Sequence, residues 1–415
     1  MYRAPRGTKD ILPGEQAYWR YVEQKAAEIC RLYGYERIDL PMFEETGLFT
    51  RGVGQGTDIV EKEMYIFEDR GGNSLALRPE GTASICRAYL EHGLHNRPQP
   101  VKLFYIGPAF RYERPQAGRY RQHNQFGCEA IGDADPSLDA EVIDMTWQFF
   151  VNLGMGHFTV VINSIGCRKC RREHLAVLKK HYLPHIDEVC PDCRVRYEKN
   201  PLRLLDCKNP QCQPIADSAP KSAEYLCPEC AEHYADVKRY LGVLELPFEE
   251  DNRLVRGFDY YTRTVFEIQP REGGSQSSLG GGGRYDGLIE ELGGKPTAGV
   301  GFATGIERIV LGLTRENIAV PPVSGPEIFI AHRGNEARDA AMKLATTLRR
   351  KGKAVLVTTG SRSLKAQLRQ ANNAGVPRVA IIGEDEVKNG TVMLRDMATS
   401  SQESVPVEKL PELMA

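Results

Sequence analysis

The sequence predicts an α+β protein that carries a cysteine-rich helical insertion and a separate C-terminal α/β domain. Two strand-like runs, 101–110 and 122–131, flank a polar loop and predict an antiparallel hairpin. Between about residues 167 and 246, cysteines come in close couples and the apolar pattern becomes short and helical. Beyond a proline-rich linker at 321–326, predicted strands and helices alternate, which favours a largely parallel sheet.

A chain of 415 residues is long enough for two or three domains. We expect one domain over 1–325, the insertion over 167–246 within it, and the C-terminal domain over 326–415. The net charge of −1 neither predicts nor excludes a nucleic-acid partner, so any such contact must come from local patches. No signal peptide and no run near the ~20 apolar residues of a membrane span occurs, so we expect a cytoplasmic protein with no membrane partner.

In chain order, the first helix is predicted over 14–33 because apolar residues recur near a 3.6-residue period, and Gly34 fits its C-cap. A strand over 35–40 follows and ends at a proline. The runs 64–67 and 74–77 lie on either side of a glycine-containing turn and predict a second hairpin.

That hairpin runs into the string Arg78-Pro79-Glu80-Gly81-Thr82, after which a helix begins. A carboxylate between a strand and a helix can face a cleft and bind an ammonium group, which makes Glu80 a candidate ligand. Thr82 fits a helix N-cap equally well. Further on, Asp135 and Pro136 predict the start of a helix over 137–153, and the strand 157–162 follows.

The long hairpin is crowded with arginines, which are Arg111, Arg114, Arg119 and Arg121. A guanidinium presents a planar fork of donors that matches phosphate oxygens in pairs, so this loop is a candidate phosphate site. The alternative is a solvated basic hairpin, because charged runs usually lie on the surface.

Two later stretches also predict a binding site. The octet from Leu254 to Tyr261 supplies one cation beside two phenols, which suits a polar, ring-shaped ligand, and the strand 264–268 follows it. The run 280–287 is rich in glycine, which by itself is typical of a flexible turn, and it lacks the Gly-Lys-Ser/Thr of a P-loop.

The C-terminal domain is predicted from a regular alternation of elements. The expected strands are 327–331, 354–358 and 378–382, and the expected helices are 336–350 and 364–374. Composition alone supports no more than a small α/β domain here.

Three segments resemble the signature motifs of the class II aminoacyl-tRNA synthetases. The first helix with its strand resembles motif 1, the hairpin from Phe110 to Phe126 resembles motif 2, and 298–308 resembles motif 3. The strings 78–82, 254–261 and 280–287 are similar to those of histidyl-tRNA synthetases in particular. The resemblance covers nearly all of the chain outside the cysteine-rich region.

This resemblance implies a class II catalytic domain, an antiparallel sheet flanked by helices, followed by an anticodon-binding domain. It implies ATP-dependent activation of L-histidine to histidyl-adenylate and transfer to the 3′ end of tRNA-His, with AMP and diphosphate released. It also implies a homodimer built through motif 1 and an insertion that packs over the active site and the tRNA acceptor arm. The alternative is a non-catalytic paralogue that binds histidine as a regulatory subunit.

The resemblance also assigns roles to single residues. Arg111 and Arg256 would flank the α-phosphate as the catalytic cations, with Mg²⁺ at the β- and γ-phosphates. The ATP-binding residues would be Arg111, Glu113, Arg119, Arg121 and Arg308. The loop residues that reach the tRNA would be Arg114, Gln116 and Arg119.

Histidine would be held by a larger set of residues, namely Glu80, Thr82, Arg111, Gln125, Glu129, Arg256, Tyr260, Tyr261 and Tyr285. Glu80 and Thr82 would hold the amino group with Gln125 near it, and Glu129 and Tyr261 would bind the ring nitrogens. A pocket that hydrogen-bonds a substrate NH rejects analogues that lack it. One departure is that His123 stands where the family usually has an aromatic residue, most often phenylalanine, against the adenine.

Eight of the 11 cysteines form four couples. Three are C-x-x-C, namely Cys167/Cys170, Cys190/Cys193 and Cys227/Cys230, and the wider fourth is Cys207/Cys212. Two couples complete a tetrahedral Zn²⁺ site, so eight ligands allow two sites and three ways of pairing the couples. We predict at least one structural zinc; the alternative is reduced thiols or disulfides on a domain folded by its own core. The other cysteines, Cys30, Cys86 and Cys128, lie in apolar patterns typical of a core.

Overall fold

A computed structural model describes residues 2–54, 57, 59–116, 118–271 and 278–414. The chain divides into two compact units, Met1–Pro321 and Pro322–Ala415. Within the described ranges, no helix is both long enough and apolar enough to cross a membrane.

The first unit is built on an eight-stranded sheet and a smaller three-stranded sheet. Its strands are β1 Glu36–Arg37, β2 Phe43–Glu45, β3 Ile66–Glu68, β4 Ser74–Leu77, β5 Val101–Phe110, β6 Gln122–Ile131, β7 Phe158–Ser164, β8 Phe248–Glu250, β9 Thr262–Pro270, β10 Gly280–Arg284 and β11 Gly299–Gly305. Its helices are α1 Gln16–Leu32, α2 Thr46–Gly52, α3 Thr82–Glu91, α4 Pro136–Asn152, α5 Arg168–Tyr182, α6 Pro191–Lys199, α7 Gln213–Asp217, α8 Pro228–Val243, α9 Leu288–Glu291 and α10 Ile306–Arg315.

The large sheet has the order β1-β5-β6-β11-β10-β9-β7-β8. Its six central strands are antiparallel, and only the short edge strands β1 and β8 pair in parallel with their neighbours. The predicted hairpin is confirmed at its limits, since Val101 pairs with Ile131 and Phe110 with Gln122. The predicted antiparallel sheet flanked by helices is therefore present.

Alternation along the strands sorts side chains to two faces of the sheet. In β6, Phe126 and Cys128 enter a core formed with α1, α4, α8 and α10. Gln125 and Glu129, one residue out of phase, face the opposite side, where α3, α9 and the cysteine-rich helices pack. The cysteines expected in apolar surroundings, Cys30, Cys86 and Cys128, are all buried. The strand period of two residues thus places Gln125 and Glu129 on the same face of the sheet.

The helix boundaries follow the local chemistry. Asp135 caps α4, since its side chain accepts a hydrogen bond of 2.9 Å from the backbone N–H of Ser137, and Pro136 is the first helical residue. Gly34 follows α1 with φ of +75°, a conformation that glycine adopts without steric cost. Both ends were predicted from the sequence.

Several elements differ from the sequence predictions. The strand expected over 35–40 shrinks to the two residues of β1, and the hairpin β3–β4 gains a third strand, β2, that was not predicted. The interpretation of the glycine run as a flexible turn is wrong, because Gly280–Gly283 form part of β10 in the middle of the sheet. Backbone pairing to both neighbours holds these glycines extended, a tertiary constraint that local propensity does not report.

The second unit is a five-stranded sheet with helices on both faces. Its elements are β12 Ile328–His332, α11 Asn335–Arg350, β13 Val355–Val357, α12 Leu364–Asn373, β14 Arg378–Ile382, α13 Glu384–Asn389, β15 Thr391–Asp396, β16 Gln402–Pro406 and α14 Leu410–Leu413. The order is β13-β12-β14-β15-β16. The five predicted elements are confirmed, but a largely parallel sheet is wrong, because β15 and β16 add two antiparallel pairings.

Candidate active site and cysteine clusters

A cavity of about 360 Å³ opens on the face of the large sheet that carries Gln125 and Glu129 of β6. It brings together twelve of the predicted site residues, which are Glu80, Thr82, Arg111, Glu113, Arg119, Gln125, Glu129, Arg256, Tyr260, Tyr261, Tyr285 and Arg308. These residues come from segments more than two hundred positions apart in the chain, from Glu80 to Arg308. Their convergence makes this cavity the candidate active site.

Two buried carboxylates meet at the start of α3. Glu80 accepts hydrogen bonds from the backbone N–H groups of Thr82 at 2.6 Å and Ala83 at 2.9 Å, so it satisfies the free amides of the helix terminus. The capping role considered for Thr82 is therefore wrong, since Thr82 is the first helical residue. Its hydroxyl instead donates to a carboxylate oxygen of Glu129 at 2.6 Å. Thr82 thus links the helix terminus to the floor of the cavity.

Glu129 is the most strongly perturbed acid of the cavity. Burial raises its pKa to about 8, and the neighbouring Glu80 adds to the shift, while the hydrogen bond from Thr82 opposes it. Burial also raises the pKa of Glu80, although the amides of α3 oppose that shift. Near neutral pH, Glu129 therefore carries a proton and can both donate and accept a hydrogen bond.

Glycines of β10 and β11 form the part of the cavity floor next to Glu129, and we call this part the glycine floor. A Cβ atom at Gly301 would lie 1.9 Å from Oε2 of Glu129, and one at Gly282 would lie 1.9 Å from the carbonyl oxygen of Gly301. A Cβ atom at Gly281 would lie 2.5 Å from the carbonyl oxygen of Phe266. Glycine is required at these positions by close approach, and the exposed backbone leaves room for a flat ligand.

Aromatic rings form one wall. Phe258 stacks on Tyr260 with centroids 5.1 Å apart, and Tyr260 lies 4.7 Å from Tyr261 and 6.0 Å from Tyr285. Burial raises the pKa of Tyr260, Tyr261 and Tyr285, so each phenol stays protonated and can donate. This wall suits a ring-shaped polar ligand.

Arginines also line the cavity, and two of them, Arg111 and Arg256, lie over rings of the aromatic wall. Arg111 donates to the carbonyl of Pro79 at 2.9 Å and lies over the ring of Phe258, 5.4 Å from its centroid. Arg308 donates to the carbonyl of Ser278 at 2.7 Å. Arg256 forms an ion pair with Glu267. Burial opposes the charge of Arg256, but Glu267 and Tyr261 raise its pKa overall, so it stays cationic.

The predicted loop residues lie at different places. Arg119 and Gln116 border a second cavity of about 1000 Å³, which Arg256 and Arg308 also line. Arg121 does not line the first cavity; its guanidinium lies 3.7 Å from the ring centroid of Tyr112, and its Nε donates to the carbonyl of Glu113 at 3.3 Å. Arg114 is exposed and lines neither cavity.

Sequence reasoning missed some lining residues. Tyr105 lies two residues after Leu103 on the same face of β5, and its hydroxyl contacts Gln125 at 3.4 Å; the strand period of two was the signal that could have found it. Glu307 precedes Arg308 and accepts from the backbone N–H of Asn124 at 2.8 Å. His123 also lines the cavity, where burial and the charges of Arg111 and Arg308 lower its pKa to about 3, so its imidazole is neutral.

The eight insertion cysteines assemble into two groups of four. One contains Cys167, Cys170, Cys227 and Cys230, and we call it the base cluster; the other contains Cys190, Cys193, Cys207 and Cys212, and we call it the outer cluster. The sulfur atoms within each group lie within 4.8 Å of one another. Of the three possible pairings of the four couples, the structure has the one that joins Cys167/Cys170 to Cys227/Cys230 and Cys190/Cys193 to Cys207/Cys212.

The sulfur spacing fits a tetrahedral ion. Cys167 lies 3.6 Å from Cys170 and 3.9 Å from Cys227, and Cys190 lies 3.8 Å from Cys207. Zn–S bonds of about 2.3 Å in a tetrahedron separate the sulfurs by about 3.8 Å. Cys167, Cys190 and Cys227 are also the N-cap residues of α5, α6 and α8, so three of the eight sulfurs lie at helix N-termini. The residues present therefore fit a structural zinc in each group.

Comparison with family models gives two matches. Residues 7–309 match the model described as histidyl-tRNA synthetase, and residues 318–415 match the model of an anticodon binding domain. The first match includes the cavity, both cysteine clusters and the glycine floor.

Two curated proteins and one solved structure are similar to this chain along nearly its whole length. A histidine–tRNA ligase of Dehalococcoides mccartyi is 58% identical over 410 residues, which span 99% of this chain and 98% of that protein. One of Desulforamulus reducens is 51% identical over 98% of this chain and 97% of its own length. The crystal structure of apo histidyl-tRNA synthetase of S. aureus matches all of both chains with a TM-score of 0.84 and 39% identity.

The raised pKa of Glu129 predicts a pH-dependent effect on stability. Between the ordinary carboxyl pKa of 4.5 and about 8, the unfolded side chain has lost its proton while the folded one keeps it, so rising pH removes stability. Glutamine does not titrate, so Glu129→Gln should remove this pH-dependent loss of stability. The melting temperature of Glu129→Gln minus that of the unmodified protein should therefore grow from pH 5 to pH 8 and then level off, as measured by differential scanning fluorimetry.

Glu232→Gln, an exposed carboxyl on α8, provides the control and should show no such trend. A difference for Glu129→Gln that stays flat or shrinks as the pH rises would contradict the protonated, buried state of Glu129.

Proposed function

The chain belongs to the histidyl-tRNA synthetase family, and we propose that the cavity over the glycine floor joins histidine to ATP through the residues assembled there. The protein activates L-histidine with MgATP to histidyl-adenylate and transfers the histidyl group to the 3′ end of tRNA-His, releasing AMP and diphosphate. Identity of 58% to a ligase over the whole chain supports this activity over the alternative of a non-catalytic regulatory subunit.

Histidine occupies the part of the cavity between α3 and the aromatic wall. Its amino group binds Glu80 and Thr82 with Gln125 near it, and its imidazole binds Glu129 and Tyr261. The supporting observation is the hydrogen bond of 2.6 Å from Thr82 to Glu129, because it joins the amino subsite to the ring subsite. A Glu129 that holds a proton can donate to one ring nitrogen or accept from its N–H, which suits either tautomer of imidazole.

The reaction requires charge stabilisation more than covalent chemistry by the protein. A carboxylate oxygen of histidine forms a bond to the α-phosphorus of ATP, and the bond from that phosphorus to the pyrophosphate oxygen breaks. Arg111 and Arg256 stabilise the charge that develops on the α-phosphate, because both are held in place before substrate arrives. Glu113, Arg119 and Arg308 bind the remainder of ATP, and the neutral imidazole of His123 faces the adenine.

Arg256→Ala should reduce histidine-dependent ATP–pyrophosphate exchange by about 10²–10³, because removing one preorganised donor commonly has an effect of this size. The melting temperature should fall, because Glu267 loses its ion-pair partner, but the variant should stay folded at the assay temperature. Arg315→Ala, an exposed arginine at the end of α10, is the matched control and should exchange like the unmodified protein. Exchange by Arg256→Ala within a few-fold of the unmodified rate would overturn the role of Arg256.

Two structural zinc ions are the second part of the proposal, one in the base cluster and one in the outer cluster. The support is the sulfur spacing, which matches a tetrahedron, and the position of three ligands at helix N-termini. When bound, such ions supply folding free energy and not chemistry, because ligation stabilises only the folded arrangement. All eight ligands lie in the insertion, so the ions would stabilise this part of the chain.

Elemental analysis of protein purified without chelator should find about two zinc ions per chain. Cys227→Ser should lose one of them and Cys207→Ser the other, because a serine oxygen is a poor ligand in a thiolate site. Cys86→Ala, a buried cysteine outside the insertion, is the control and should keep both. Less than about half a zinc per chain, with all eight cysteines accounted for as free thiols or disulfides, would exclude both sites.

A homodimer is the third part of the proposal. The sheet β2–β4–β3 exposes apolar side chains, and Phe43 and Phe67 are 54% and 42% exposed with their rings 6.3 Å apart. Adjacent exposed aromatics on a sheet face suit contact with a second copy of this chain.

The mass in solution tests this assignment. Light scattering should give about twice the chain mass of 46.4 kDa, and the double change Phe43→Ser, Phe67→Ser should shift the protein toward a single chain. Leu183→Ser, an exposed leucine in the insertion, is the control and should not change the mass. A single-chain mass for the unmodified protein at micromolar concentration would contradict the dimer.

A further inference from the structure

Arg171 connects the cysteine-rich insertion to the backbone of the aromatic wall. It lies in the first turn of α5, where its backbone N–H donates to the carbonyl of Cys167 at 2.9 Å. Its guanidinium donates to two main-chain carbonyls outside the insertion, that of Asp259 at 3.3 Å and that of Tyr261. One side chain thus holds the residues on both sides of Tyr260.

The segment that Arg171 contacts has an unusual backbone. Arg263 has φ of +51°, in the left-handed region that is rare for residues other than glycine. Its N–H donates to the carbonyl of Gly166 at 2.9 Å, and its carbonyl accepts from the N–H of Ile165 at 2.9 Å. Such a conformation persists only where its surroundings hold it, and strained residues of this kind cluster at functional sites.

The base cluster lies at the start of α5, the helix that carries Arg171. Cys167 is the N-cap of α5, and Gly166 beside it has φ of +69°. A Cβ atom at Gly166 would lie 2.5 Å from the sulfur of Cys170, so the chain passes directly over the cluster. The start of α5, and with it Arg171, is therefore set by the same four cysteines that form the base cluster.

We propose that Arg171 is a positioning residue for histidine recognition, which acts by fixing the main chain at Asp259 and Tyr261 so that Tyr260 and Tyr261 face the cavity. The inference rests on the proposed histidine site, and it adds a residue of the insertion that lines neither the first nor the second cavity. Hydrogen bonds from a charged donor to carbonyls are among the stronger ones, so their loss should loosen the turn. The base cluster then contributes to histidine binding and not only to the stability of the insertion.

The test compares the kinetics of histidine-dependent ATP–pyrophosphate exchange in three variants. Arg171→Gln removes the charge and one of the two contacts, and it should raise the KM for histidine about tenfold to a hundredfold, while the KM for ATP changes less than about threefold. Arg171→Lys keeps the charge but cannot span both carbonyls, so its histidine KM should lie between those of Arg171→Gln and the unmodified protein. Arg172→Gln, an exposed arginine on the same helix, is the matched control and should match the unmodified protein.

Equilibrium binding of histidine by isothermal titration calorimetry, without ATP, should show the same order of affinities. Unchanged histidine KM in Arg171→Gln, or equal rises in the KM for histidine and ATP together with a lower melting temperature, would overturn the positioning role. If Arg171→Gln does not fold, a folded Arg171→Lys with unchanged histidine affinity overturns it. Failure of the proposed site would look different, because the unmodified protein itself would then bind no histidine.

The link to the base cluster has its own measurement. Cys227→Ser should weaken histidine binding in the same calorimetric assay, whereas Cys207→Ser in the outer cluster should leave it within about twofold of the unmodified value. Equal effects of the two changes would show that the base cluster has no special connection to Arg171.

Discussion

The close approach of β10 and β11 is the constraint on which the cavity depends. A Cβ atom at Gly282 would meet the backbone of Gly301, and one at Gly301 would meet the carboxyl of Glu129, so glycines at both positions allow the strands and this carboxyl to pack closely. An alanine at Gly301 would occupy the position of a Glu129 oxygen, so it would displace the carboxyl that Thr82 holds. The absence of a side chain at Gly301 thus leaves room for the buried carboxyl of Glu129, whose burial raises its pKa.

Strand β10 ends in Arg284, which stabilises the other face of the sheet. Arg284 follows the four glycines and is fully buried, with its guanidinium donating to Asp139 at 2.6 Å and to the carbonyl of Asp135 at 2.8 Å. Asp139 also contacts His233 of α8 at 3.2 Å, which joins the insertion to the sheet. A buried charge is costly unless fully paired, so removal of one partner should be more harmful than replacement of the whole group. Tyr285, the next residue, is thereby fixed in the cavity wall.

Features that depend on neighbours in sequence were predictable. The hairpin limits, the cap of α4 and the C-cap glycine of α1 follow from strand period, Asp-Pro and glycine chemistry within a few residues. The site strings identified the family because their residue types recur at fixed local spacing. Twelve predicted site residues line one cavity, and they come from these strings and, for Glu129, from the remainder of β6.

Features that depend on distant contacts were decided by the tertiary structure. The sequence by itself determined that eight cysteines come in four couples, but only the fold brought Cys167 to Cys227, 60 positions away. It also made the glycine run a central strand, transferred the capping role from Thr82 to Glu80, and turned Arg121 onto Tyr112. The physical reason is that local propensity and spacing act within a turn or a strand, whereas pairing, burial and ligand geometry depend on segments that meet only after folding.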